Sequence, residues 1–122
     1  MIDFAVNMLV WNAEDLIEKS LRSTLPYAKE AWVVDTGSTD LTLRILSNLK
    51  EEFPHLNFFS FDVQSLGEGW TNSKRDQTLT CLCKQSKSKT TSPWILRVDD
   101  DEVFPEQTMN EIINLDGNRD YY

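Results

Sequence analysis

Apolar and polar positions alternate along the chain in a way that predicts strands and helices in turn. Four short apolar runs have the length and the β-branched or aromatic content of buried strands; they are residues 4–11, 31–35, 57–63 and 94–99. Other segments carry apolar residues at helical spacing; they are residues 16–25, 41–53, 105–115 and, more weakly, 74–85. This order predicts an α/β fold, a Rossmann-like three-layer sandwich with a mostly parallel sheet.

Polar residues and prolines indicate where these helices begin and end. Asn12 can cap the helix that follows the first strand, and Pro26 ends that helix. In the turn D-T-G-S-T-D, residues 35–40, Gly37 permits a positive φ. One of the three residues after Gly37 can cap the next helix, so this turn is expected to lead directly from strand to helix.

Composition restricts the function classes. The chain has 122 residues, which suits a single domain spanning 1–122, and 40% of them are hydrophobic. The formal net charge is −8, so a nucleic-acid partner is not expected, because phosphate contacts need clustered Lys and Arg. The acidity suits a site that recruits a cation, and solubility alone also explains it.

Several kinds of site lack the residues they require. His55 is the only histidine, which leaves almost no material for a Ser-His-Asp triad. Cys81 and Cys83 have C-x-C spacing, which suits neither a disulfide nor a zinc knuckle. We therefore expect both cysteines to be reduced. No apolar run reaches membrane-spanning length and no signal-peptide pattern is present, so a cytoplasmic location is expected.

The carboxyl ends of the predicted strands are the places to look for a site, because parallel sheets bind ligands there. At the first end, Trp11 and Asn12 can line a pocket for a flat base; the alternative is a core Trp and a helix cap. At the second, Asp35 ends a buried strand. A carboxylate there should accept hydrogen bonds, either from the backbone or from a ligand N–H or hydroxyl.

The fourth strand ends in an acidic cluster within W-I-L-R-V-D-D-D-E-V-F-P-E, residues 94–106. In an extended segment Asp99 and Asp101 point to one side and Asp100 to the other. Two converging carboxylates make an oxygen site for Mg²⁺ or Mn²⁺. The alternative is a solvated acidic turn before the helix that starts near Pro105.

Other nucleotide and metal motifs are absent. The sequence contains no P-loop and no complete dinucleotide fingerprint. An EF-hand loop starting at Asp99 would place Val103 and Phe104 where an oxygen ligand and a glycine are needed. The segment I-L-R-V-D-D-D-E also resembles the first strand of a response-regulator receiver. Receivers need a downstream Lys, which residues 102–122 lack, so that interpretation requires a permuted chain.

The order and spacing of four segments resemble the nucleotide-binding half of a family-2 glycosyltransferase with the GT-A fold. The segments are F-A-V-N-M-L-V-W-N-A-E-D-L-I-E-K-S-L, V-V-D-T-G-S-T-D-L-T-L-R-I, N-S-K-R-D-Q-T-L and W-I-L-R-V-D-D-D-E-V-F. The resemblance implies that Trp11 or Asn12 and Asp35 hold the base, and that Arg75 approaches the nucleotide. It implies further that Asp99 meets the ribose and that Asp101, with Asp99, binds the metal.

The resemblance also implies an activity. The chain would bind a UDP-, GDP- or dTDP-sugar through Mn²⁺ or Mg²⁺ and transfer the sugar, with inversion, to an acceptor hydroxyl deprotonated by a carboxylate. In the family, the acceptor-binding half and the usual catalytic base follow the D-x-D segment, in sequence that this chain does not contain. The base is therefore unknown, and a non-catalytic nucleotide- or metal-binding fragment is the alternative. An unprotected sheet edge would favour a homodimer.

Overall fold

The computed structural model describes residues 2–61 and 89–115 of the chain. The predicted loop at 67–73 and the predicted helix at 74–85 lie outside the described residues, as do Arg75 and the two cysteines. Everything below concerns the described residues.

The sheet has four strands, all parallel, in the order β3-β2-β1-β4. The strands are β1 Phe4–Val10, β2 Glu30–Asp35, β3 Leu56–Ser60 and β4 Trp94–Arg97. All four predicted strands are present, and β3 and β4 end a few residues earlier than predicted. The predicted α/β fold with a parallel sheet is confirmed.

Three helices pack on one face of this sheet: α1 Ile17–Thr24, α2 Thr42–Glu52 and α3 Glu106–Ile113. Alternate residues of β1 point toward them, as the period-two pattern requires. The helices contribute Leu21, Leu46 and Met109 to the same buried cluster, which thus ties all three to the sheet. No helix in residues 2–61 and 89–115 is long and apolar enough to cross a membrane.

The start of α1 differs from the prediction. Asn12 does not cap this helix; α1 begins at Ile17 without a side-chain cap. Instead Asn12 has a φ of 46° and its amide oxygen accepts a bond from the N–H of Thr39. For α2 the cap position is Leu41, which makes no side-chain bond, and the residue before it, Asp40, accepts the N–H of Thr42 on Oδ1 at 2.9 Å.

The strand order reverses direction at β1. From β1 the chain moves to β2 and then to β3 on one side, whereas β4 pairs with the other side of β1. In open α/β sheets ligands bind beyond the carboxyl ends of the strands, near such a reversal in strand order.

Candidate functional site

Three loops meet at the carboxyl edge of the sheet. They follow β1, β2 and β4 and comprise residues 11–16, 36–41 and 98–105. Val10 and Asp35 are register partners at this edge, so the first two loops leave the sheet side by side. The third leaves from β4, which pairs with the other side of β1.

Asp35 is buried at the end of β2, with 1% of its surface exposed. Its Oδ2 accepts bonds from the N–H groups of Gly37 and Ser38 at 3.2 and 3.1 Å. Gly37 has a φ of 111°, a conformation that suits glycine, and this turns both N–H groups toward the carboxylate. The expected acceptance of backbone hydrogen bonds by Asp35 is confirmed.

The second oxygen of Asp35 has no such partner. Oδ1 is buried and accepts no hydrogen bond from the described part of the chain. A buried carboxylate oxygen without a donor is costly, of order 1–3 kcal/mol, so such atoms call for an explanation. A ligand N–H or hydroxyl at the edge of the sheet would supply the missing donor.

Trp11 is not a core residue, because 51% of its surface is exposed. This rules out one of the two interpretations drawn from the sequence and leaves a large flat ring at the end of β1. Asn12 beside it is also exposed. Its N–H donates to Ser38 Oγ at 2.9 Å and its Oδ1 accepts from Thr39 N–H at 2.8 Å, so Asn12 joins the first loop to the second.

Further bonds join the same two loops. The N–H of Glu14 donates to Asp40 Oδ2 and the N–H of Leu41 donates to Glu14 Oε2, both at 3.2 Å. Ala13 N–H donates to Thr42 Oγ1 at 3.0 Å. Burial raises the pKa of Asp40, but the bonds from Thr42 and Glu14 outweigh it and hold that pKa below its ordinary value. Sequence reasoning missed Glu14 and Thr42, because nothing local indicates partners in a different loop.

The acidic segment forms a turn. Asp99 N–H donates to Glu102 Oε1 at 2.9 Å, and Glu102 N–H donates to the Asp99 carbonyl at 3.1 Å. Since β4 ends at Arg97, the strand alternation used to place Asp99 and Asp101 on one side does not apply here. Both side chains are nevertheless exposed, whereas Asp100 is half-buried.

Asp100 connects the acidic turn to β1. Its Oδ2 accepts a bond from the backbone N–H of Trp11 at 3.4 Å. Burial raises the pKa of Asp100, the bond from Trp11 opposes this, and repulsion from Asp101 and Asp99 adds to it. The central carboxylate of the cluster is therefore occupied with the protein itself.

Two serines of α1 hold the other side of the acidic turn. Ser20 Oγ donates to the Asp99 carbonyl at 3.4 Å, and Ser23 Oγ accepts from Phe104 N–H at 3.1 Å. Ser23 also donates to the Ser20 carbonyl at 2.6 Å. From the sequence α1 was assigned to packing alone; Ser20, which lies beside Ile17 and Leu21 on the apolar face of the helix, was the available signal.

The residues present fit a weakly held cation. Magnesium typically takes one or two protein carboxylates and completes its shell with water and phosphate oxygens. Asp99 and Asp101 supply two exposed carboxylates at one turn. Within residues 2–61 and 89–115 no group of three or more His, Cys, Asp or Glu side chains could hold a metal ion, so any site here is open rather than a closed cage.

Two solved structures of TarS from S. aureus are similar to this fold. The crystal structure of TarS 1–349 has a TM-score of 0.67 and 22% identity, covering 92% of this chain and 31% of that chain. The crystal structure titled TarS has a TM-score of 0.65 and 23% identity, covering 92% and 19%. The chain thus spans less than a third of either protein. No curated protein sequence matches it significantly.

The sequence profile described as glycosyl transferase family 2 matches residues 6–121, nearly the whole length. The match includes all four strands and the three loops at their carboxyl edge. The chain has the GT-A fold and belongs to glycosyl transferase family 2.

Proposed function

We propose that this chain binds the nucleoside diphosphate portion of a nucleotide sugar at the carboxyl edge of its sheet. The observation that carries the proposal is Asp35 Oδ1, a buried acceptor to which no residue in 2–61 or 89–115 donates, at the end of β2 in a family-2 fold. The exposed ring of Trp11 follows Val10, the register partner of Asp35 on β1. A flat base carrying an N–H can stack on the ring of Trp11 and donate to Oδ1 of Asp35.

The ribose and diphosphate extend toward the acidic turn in this proposal. Asp99 meets the ribose, and Asp101, assisted by Asp99, holds Mn²⁺ or Mg²⁺. Both carboxylates are exposed and Asp100 is already engaged by Trp11, which supports this division. A divalent cation bound there would supply a Lewis acid that stabilises the charge of the departing nucleoside diphosphate. Arg75 approaches the nucleotide in this scheme and lies outside the described residues.

Sugar transfer is the proposed role of the complete site. The family implies attack by an acceptor hydroxyl, deprotonated by a carboxylate, with inversion at the anomeric carbon. We assign the general base to no residue of this chain. Because the chain covers 31% and 19% of the two TarS proteins, donor binding without transfer is the second candidate function. The family assignment gives no support to a receiver-like role.

A titration series tests donor binding directly. UDP, GDP, dTDP and CDP are titrated calorimetrically in the presence and absence of Mn²⁺. We expect one of them to bind, more tightly with Mn²⁺ than without it. Failure of all four to bind with Mn²⁺ present would overturn the proposal.

A second assay separates the two candidate functions. The corresponding nucleotide sugar is incubated with the chain, with and without an added acceptor panel, and free nucleotide is measured. Release that depends on the acceptor supports transfer. Binding without release supports the role of a donor-binding part alone.

A further inference from the structure

We propose that Ser38 is a positioning residue that fixes the two walls of the base pocket, the Trp11 loop and Asp35, relative to each other. The inference rests on the proposed function and assigns a role to a residue that does not itself touch the nucleotide. Ser38 Oγ accepts the N–H of Asn12 at 2.9 Å. Ser38 N–H donates to Asp35 Oδ2 at 3.1 Å. One residue thus bonds to both walls, through different atoms.

The bond to Asp35 determines which carboxylate oxygen is free. Ser38 and Gly37 both donate to Oδ2, and the buried Oδ1 has no donor among the described residues. The carboxylate is thereby held in an orientation in which Oδ2 bonds to the turn and Oδ1 is left to accept a bond from a ligand. A shift of Ser38 would release this orientation.

The bond to Asn12 helps to fix the backbone that follows Trp11, whose own N–H is held by Asp100. Asn12 has a φ of 46°, a conformation that a non-glycine residue keeps only when its surroundings hold it, although Asn tolerates it better than most. Its surroundings are Ser38 Oγ and the N–H of Thr39. Without Ser38 Oγ the N–H of Asn12 loses its acceptor, and the backbone that follows Trp11 loses one of the contacts that fix it.

The acidic turn is held by other contacts, which makes the role of Ser38 separable. That turn is joined to the rest of the protein through Ser20, Ser23 and the bond from Trp11 N–H to Asp100. Ser38 makes none of these bonds. Removing its hydroxyl should therefore affect recognition of the base and spare binding of the diphosphate.

Three variants test this assignment. Ser38→Ala deletes the hydroxyl and keeps the backbone N–H that serves Asp35. Ser38→Thr restores a hydroxyl at the same position. Ser47→Ala makes the same chemical change at an exposed serine in α2, remote from the loops. Each is titrated with UDP, GDP, dTDP and CDP plus Mn²⁺, and with pyrophosphate plus Mn²⁺, and its melting curve is recorded.

We expect Ser38→Ala to bind the preferred nucleotide roughly 3- to 10-fold more weakly, the size of effect expected for one hydrogen bond. Pyrophosphate affinity should stay within about twofold of wild type, because it uses only the acidic turn. Ser38→Thr should recover most of the nucleotide affinity, and Ser47→Ala should behave as wild type. Equal weakening of nucleotide and pyrophosphate, unchanged nucleotide affinity in Ser38→Ala, or no recovery in Ser38→Thr would each overturn the assignment.

A second variant keeps the test valid if Ser38→Ala does not fold. Asn12→Gly retains the positive φ and deletes the amide oxygen that accepts from Thr39. It should show the same selective loss of nucleotide affinity, with pyrophosphate affinity within about twofold of wild type. A wild-type chain that binds no nucleotide overturns the proposed function itself; a wild-type chain that binds while Ser38→Ala and Asn12→Gly are unaffected overturns only the positioning role of Ser38.

Discussion

The carboxylate of Asp100, in the turn after β4, accepts the backbone N–H of Trp11, the residue after β1, at 3.4 Å. This bond joins the carboxyl ends of β1 and β4, the neighbouring strands between which the strand order reverses. It also distinguishes three consecutive aspartates that look equivalent in sequence. Asp100 accepts a hydrogen bond within the protein, whereas its neighbours Asp99 and Asp101 are exposed to solvent.

Cation binding should depend on Asp101 and not on Asp100. A cation bound only by the folded state raises stability by RT ln(1 + [L]/Kd), about 2.7 kcal/mol at a hundredfold excess over Kd. Few protein ligands are available, so the site should tighten when a diphosphate adds oxygens. In melting curves with Mn²⁺, with UDP and with both, Asp101→Asn should abolish the joint shift, and Asp100→Asn should retain most of it. A larger loss in Asp100→Asn would mean that the cation lies elsewhere in the turn.

Nucleotide affinity should depend on the free oxygen of Asp35. Asp35→Ala removes both the acceptor for the ligand and the acceptor for Gly37 and Ser38, so affinity should fall by about 1–3 kcal/mol and the melting temperature should also fall. Asp35→Asn retains one oxygen and separates these effects. If the amide oxygen serves the turn, stability is largely kept while an NH₂ group faces the base and affinity still falls. Calorimetric titration beside melting curves measures both; unchanged affinity in Asp35→Asn would exclude a base contact.

Stability at acidic pH should report on Asp40. Its pKa is lower in the folded chain than its ordinary value of 3.8, because the bonds from Thr42 and Glu14 outweigh burial. A depressed carboxyl pKa stabilises the folded state above the unfolded pKa, and this contribution is lost as pH falls through the folded pKa. The melting-temperature difference between wild type and Asp40→Asn should therefore be full at pH 6 and shrink toward pH 3. A difference that stays constant over this range would show that the charge of Asp40 is not coupled to folding.

Self-association should involve β4. Across residues 2–61 and 89–115 this strand pairs only with β1, and its Ile95 is 39% exposed. An unpaired strand edge with an exposed apolar side chain favours pairing with a second copy. Light scattering at high micromolar concentration should show a dimer, and Ile95→Lys should reduce it. Leu16→Lys places the same charge at a residue that is 40% exposed at the start of α1 and serves as control. A wild-type chain that is monodisperse and monomeric would contradict this prediction.

The fold was predictable because its signals are local. An apolar run in the sequence predicts each strand, and Asp35 was recognisable as the carboxylate that ends the second strand. Residue types at strand ends also sufficed to select the edge of the sheet that carries the three loops. These inferences need no knowledge of which loops touch.

The details of the site were not predictable because they depend on contacts between loops. Asn12 looked like a helix cap, and its positive φ results from bonds to residues 26 and 27 positions later. The sequence analysis placed Asp99 and Asp101 on one side by assuming an extended strand. The strand ends at Arg97, and the bond from Asp99 N–H to Glu102 lies in a turn, where side chains do not alternate in that way. The hydrogen bonds of Ser20 to Asp99 and of Ser38 to Asn12 form only because the fold brings together residues that are far apart in sequence.

Five side-chain bonds join residues 12–14 to residues 38–42, and each has a backbone N–H as its donor. The exposed side chains of donors such as Thr39 and Leu41 are therefore free to change, as long as no proline removes the N–H. Only the acceptor positions, such as Ser38 and Asp40, constrain the residue type. Positions that only donate a backbone N–H should thus tolerate substitution, and positions whose side chain accepts should not. Sequences of these loops can therefore diverge widely while the loops keep their shape.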